Sequence, residues 1–148
     1  MKRILRASHK TLMFTLILTT TAWAEDSRIN AAYNTSIKPI FQKKCFDCHS
    51  NKPTFPWYYA VPGVKQLINH DIEEGLEEMD LSKDFPFASK ENKAQAKLLK
   101  DLKEEIEKGD MPPFTYRIMH TDSKITVEEK LLISRWVDES VELLEKVH

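Results

Sequence analysis

The chain holds two cysteines, and they sit together in Cys45-Phe46-Asp47-Cys48-His49. Two thiols separated by two residues span the gap between the two vinyl groups of a porphyrin, to which they add as thioethers. The next side chain then lies under the iron, where the imidazole of His49 is the proximal ligand. Cys-x-x-Cys-His is the attachment sequence of c-type haem, and one copy predicts one covalent haem c. Three other chemistries use the same pair. A disulfide is the plainest of them in an exported chain. A thiol–disulfide oxidoreductase places its cysteines at a strand-to-helix junction, and no strand pattern precedes Cys45. A zinc site needs further ligands, which His70 and His120 can supply, although structural zinc usually takes more Cys.

A second axial ligand is expected from Gly109-Asp110-Met111-Pro112-Pro113-Phe114. The thioether of Met111 is a soft, neutral ligand that favours ferrous iron and raises the potential. The prolines behind it stop a helix and stiffen the loop. Met more often fills core space, so competitors stay open: Met119 and His120, adjacent in a loop, then Met79 among acids and His70 in a charged helix end. His120 is the leading substitute, since imidazole is a common metal ligand. Trp57, Tyr58 and Tyr59 follow the motif closely and either pack on a porphyrin or serve as ordinary loop aromatics.

The elements that must position these residues read as helices. Thr35-Ser36-Ile37-Lys38-Pro39 has the hydroxyl and proline of a helix start, after a short, loose stretch. Ile37, Ile40 and Phe41 then share a face leading into Cys45. A second helix follows Pro62 with Val64, Leu67, Ile68 and Ile72 as its buried stripe, weakened or ended at Gly75. A third is expected from about Ser89 to Lys108, burying Leu98, Leu99, Leu102 and Ile106, with Gly109 as C-cap. A fourth runs from Thr126, where Thr126-x-x-Glu129 forms a capping box, to about Lys146. Its stripe is Val127, Leu131, Leu132, Val137, Val141 and Leu144, with Trp136 beside it. No alternating pattern predicts a sheet. The fold class is all-α, a bundle of about four helices wrapped around one haem.

The first residues carry Lys2, Arg3 and Arg6, an apolar run from Leu12 to Leu18, and Ala22-Trp23-Ala24. These are the three parts of a signal peptide. Residues 1–24 are therefore expected to be cleaved and 25–148 to form a single domain in the periplasm. The apolar run is shorter than the about 20 residues that span a bilayer, so a retained tether is the lesser reading. Without the four basic residues of that segment, 18 basic and 23 acidic side chains remain, a net charge of −5. A mildly acidic domain without a basic stripe argues against nucleic acid as partner and against attraction to anionic lipid. The acidic run Asp71 to Asp80 and the lysines from Lys90 to Lys103 either steer a redox partner protein or are solvated faces.

Taken together, these residues resemble the bacterial haem-binding domain family of monohaem c-type cytochromes. The resemblance runs from Ile40-Phe41-Gln42 and the Cys45 motif with Ser50, through Pro56-Trp57-Tyr58-Tyr59, Asp80-Leu81-Ser82, Met111-Pro112-Pro113, Tyr116 and His120, to Glu128-Glu129 and Trp136. It departs at Phe55, where the pattern has Trp. It implies a cytochrome c-like helical fold, attachment at Cys45 and Cys48, His49 as axial ligand and Met111 in the position of the methionine ligand. The expected activity is electron carriage between redox proteins rather than catalysis. The alternatives are a haem sensor or peroxidase-like enzyme whose distal ligand is displaceable, and a passive subunit of a larger respiratory complex.

Overall fold

The computed structural model describes residues 27–146; the expected signal peptide, 1–24, lies outside them. Residues 27–32 are already helical, so the stretch before Thr35 is not loose. Tyr33–Ile37 widen into a π-turn and α1, Lys38–Lys44, continues the same run. Pro39 supplies the reason. It lacks an N–H and crowds the carbonyl four residues back, so it disrupts a regular α-helical ladder. In the π-turn the Lys38 amide instead reaches Tyr33 O, five residues back, which absorbs the mismatch. Thr35 is not a cap: its hydroxyl donates to Ala31 O at 2.8 Å.

Ile29, Tyr33, Ile37 and Phe41 form the buried face of this run. Tyr33 meets Phe41 and Phe87 edge-on, with ring centroids 5.9 and 5.1 Å apart, and lies beside Trp136. Trp136, expected next to its helix's stripe, is at the centre of the core. Its indole N–H points to Ile29 O at 3.4 Å.

After the motif helix α2, Phe46–His49, and a 3₁₀ turn, Trp57–Ala60, comes α3, Val64–Glu78. It runs straight through Gly75. Residues 79–88 are irregular, with one isolated bridge between Asp80 and Ala88; no strand occurs among the described residues. α4, Gln95–Lys108, starts later than Ser89. The Ser89 hydroxyl accepts the Lys93 amide at 3.0 Å and Asn92 turns to a positive φ of 49°, so the chain spends these residues on a turn. The Gln95 side chain then ties down both backbone groups of Phe87. Gly109 ends α4 in the left-handed conformation, as expected of a C′ glycine.

α5, Phe114–Met119, is short. α6, Val127–Lys146, opens with the expected capping box: the Glu129 amide donates to Thr126 Oγ1 and the Thr126 amide to Glu129 Oε2. α4 and α6 pack along each other through Leu98, Leu99 and Ile106 against Ile133, Val137 and Val141. The architecture is an all-α bundle. Val127, Leu131 and Leu132, expected in the stripe of α6, are exposed, as is Leu67 on α3.

Candidate functional site

The motif sits where one helix stops and another is braced against it. α1 ends at Lys44, Cys45 leaves the helical region with φ −124°, and α2 begins. Cys45 O accepts the amides of Cys48 and His49 at 3.2 and 2.9 Å, which closes the turn. α3 packs directly on this turn. A Cβ on Gly75 would stand 2.6 Å from Cys48 O, against backbone that has no side chain to move aside. Gly75 is thus required for close approach.

That approach brings the end of α3 under His49. Its Nδ1 lies 3.0 Å from Met79 O, and a carbonyl only accepts, so Nδ1 carries the proton. The remaining nitrogen, Nε2, then holds its lone pair. Leu81 N donates to His49 O at 2.7 Å and fixes the backbone as well. Burial pushes the His49 pKa down, more than the carbonyl contacts raise it. The ring is thus oriented by a backbone acceptor, which is how metal-ligating histidines are held.

Cys45 and Cys48 are not joined in a disulfide. Burial, with the neighbouring Cys48 second, pushes the Cys45 thiol up to about 12. Burial, with Asp71 and Asp47 following, pushes Cys48 up to about 11. A thiol–disulfide oxidoreductase needs the opposite, a thiol whose pKa is lowered toward neutrality. For zinc, no three His, Cys, Asp or Glu side chains converge among the described residues. His70 is exposed beside Glu74. Two unpaired thiols and one oriented imidazole fit a c-type haem better than either alternative.

Cys48 also lines a cleft with Asp47, Pro53, Tyr58, Tyr116, Met119 and His120, and with Val64, Leu67, Ile68, Asp71 and Ile72 of α3. The stripe of α3 therefore faces this cleft and not the core. The Tyr116 hydroxyl donates to Asp47 Oδ2 at 2.6 Å, and burial together with that bond raises its pKa. Its ring stacks on His120, centroids 4.0 Å apart and 15° from parallel. Met111 is 39% exposed and does not line the cleft that Cys48 lines. Met119 and His120 do. Met79 is buried in the core and offers its carbonyl to the site. Trp57 is exposed, Tyr58 lines the cleft and Tyr59 donates to Asn69 Oδ1 at 2.7 Å.

The charged runs largely satisfy one another. Glu77 and Glu78 of α3 pair with Lys90 and Lys93, and Lys100 and Lys103 of α4 pair with Glu145 and Asp138 of α6. A depression between α4 and α6 is lined by such charges and by none of the ligand candidates. Exposed pairs of this kind contribute little to stability.

Gly75, the Met79 carbonyl and the Asp47–Tyr116 bond were not expected from the sequence. Gly75 carried a signal, as a glycine at a position where a helix should be interrupted and is not. A backbone carbonyl carries none.

Residues 13–139 match the haem-binding domain family. A cytochrome c peroxidase of Escherichia coli (strain K12) is 28% identical over 96 residues, covering 65% of this chain and 21% of that protein. The chain thus spans about a fifth of that relative's length. No solved structure matches it.

Proposed function

The chain belongs to the haem-binding domain family, and on that premise we propose that it is an exported monohaem c-type cytochrome that passes single electrons. The observation that carries the reading is His49, held through Nδ1 by Met79 O beside two unpaired thiols. Cys45 and Cys48 would hold the haem through thioethers, each S–H adding across a vinyl group with no oxidant needed, and His49 would hold its iron through Nε2. Bound there, the haem supplies a one-electron ferric/ferrous couple. Met79 O keeps the imidazole in one orientation, so His49 would not have to reorganise when the charge changes. Met111 would supply the second ligand, on the resemblance of its Met-Pro-Pro segment; an iron held by two protein ligands would have no open position for a substrate, which suits passing electrons to redox partner proteins.

The signal-peptide pattern of residues 1–24 supports export to the periplasm, where attachment of this kind takes place. No helix among the described residues is long and apolar enough to cross a membrane. A second reading, a sensor or peroxidase-like enzyme with a displaceable distal ligand, draws on the exposure of Met111 and on the peroxidase relative.

Absorption spectra of protein made with a working haem-attachment system test the proposal. Sharp c-type bands on reduction, with the weak far-red ferric band of sulfur ligation, are expected. High-spin features and rapid carbon monoxide binding would instead favour the second reading. Absence of covalent haem would defeat both.

A further inference from the structure

The segment carrying Met111, Met119 and His120 is bound to the attachment turn at two points that the motif itself does not explain. At one, Asp47, which lies between the two cysteines, accepts the Tyr116 hydroxyl at 2.6 Å. The other is Lys44, the residue before Cys45, whose side chain is only 4% exposed. Its ammonium donates to Lys124 O at 2.5 Å and Asp122 O at 3.1 Å, and pairs with Glu129 Oε2 at 3.2 Å. Two backbone carbonyls and one carboxylate thus surround the buried cation. Glu129 is the capping-box residue of α6, so Lys44 grips both the loop after α5 and the start of α6. Between the two tethers the chain is stiff. Ser123, also buried, donates its hydroxyl to His120 O at 2.6 Å, and His120 stacks on Tyr116.

A lysine is rarely buried without a purpose that offsets its desolvation, and a stability role does not require it. An apolar side chain of similar volume is often as stabilising in such a place. What an ammonium bonded to two carbonyls and paired with a carboxylate adds is position. We infer that Lys44 and Asp47 are positioning residues: from either side of Cys45 they clamp the distal segment to the haem-attachment turn and so hold the second axial ligand on the iron. The inference rests on the haem-attachment reading above. Met119 and His120 lie between the two tethers, and Met111 lies before the first, where Arg117 of the same short helix donates to Gly109 O at 3.1 Å.

The test is competition by added imidazole for the distal position of the ferric holoprotein, followed by absorption, alongside the reduction potential. Tyr116→Phe keeps the ring and its stack and removes only the bond to Asp47. It is expected to bind imidazole about tenfold more tightly than wild type, the equilibrium weight of one hydrogen bond to a charged group. The far-red band should weaken and the potential should fall. Lys44→Met is expected to show a larger effect, with Lys44→Arg recovering part of it because the charge and several donors return. If Lys44→Met yields no holoprotein, Tyr116→Phe and Lys44→Arg decide the matter. Imidazole affinity and potential equal to wild type in Tyr116→Phe and in the recovered Lys44 variants, with haem still covalently attached, would overturn the clamp alone. Failure of the wild-type chain to attach haem would remove the reading beneath it, and the clamp with it.

Discussion

The turn that carries Cys45, Cys48 and His49 and the segment that carries Met111, Met119 and His120 are held by different forces. The turn is braced by packing. Gly75 lets α3 touch its backbone, and His49 is pinned through ring and main chain by residues 79 and 81. The segment is held by two polar tethers, Tyr116 to Asp47 and Lys44 to the stretch after His120. Phe114, Ile118 and Met119 along it are more than half exposed. On the haem-binding reading a porphyrin face would cover that apolar surface, at about 25 cal/mol per Å². One side of the site is thus braced by close packing, and the other is tied by polar contacts beside exposed apolar side chains.

The largest effect expected from breaking this arrangement is at the braced side. His49→Ala should abolish the low-spin spectrum, because Met79 O orients no substitute; Cys45→Ala or Cys48→Ala should sharply lower the yield of covalent holoprotein. Normal maturation of both cysteine variants would mean that attachment does not occur as proposed. On the tethered side the expected effect is smaller. Met111→Ala should leave the haem attached, lower the potential and admit carbon monoxide to the ferrous protein. An unchanged spectrum would move the ligand to Met119 or His120, the two candidates that already line the cleft beside Cys48.

Gly75→Ala sharpens the contrast from a position that binds nothing. Its added methyl meets a carbonyl at 2.6 Å, so α3 must shift from the turn. Overpacking of this sort costs about 1–3 kcal/mol, read as a lower denaturant midpoint of the holoprotein. The shift should also loosen His49 from Met79 O and alter the spectrum. Loss of stability with an untouched spectrum would mean that α3 braces the fold and not the ligand.

The sequence made the haem-binding family legible and left the support of its motif obscure. Cys45, Cys48 and His49 stand out because a histidine directly after the second cysteine narrows the uses of the pair. The capping box at Thr126 and Glu129, the glycine after α4 and the stripe of Leu98, Leu99 and Ile106 were equally readable, since each is local. Periodicity shows which residues share a face without showing what covers it. That is why Val64, Ile68 and Ile72 looked like core and line the cleft, and why Leu131 on α6 faces outward. The π-turn before Pro39 was hidden because the start signal at Thr35 to Pro39 is the same whether a helix begins there or is interrupted. Met79 serves through its carbonyl, which any residue would provide, and Lys44 looked like one more surface lysine.

The smallest expected effect lies in the packed half, at Tyr33. Its side chain is fully buried, and its hydroxyl has no hydrogen-bond partner among the described protein atoms. Burial, with Asp84 and Cys45 adding to it, raises its pKa far above the tyrosine range, as expected of a group with nothing to stabilise its anion. A buried hydroxyl that exchanges water for no partner costs stability, while the ring makes the contacts with Phe41, Phe87 and Trp136. Tyr33→Phe keeps the ring and deletes the orphan, so it should raise stability by about 1 kcal/mol, seen as a melting temperature a few degrees higher. The haem spectrum should not move. A fall in stability would mean that the hydroxyl finds a partner outside the described residues. The packed half would then also rest on a polar tether, and the contrast between a packed side and a tethered side would weaken.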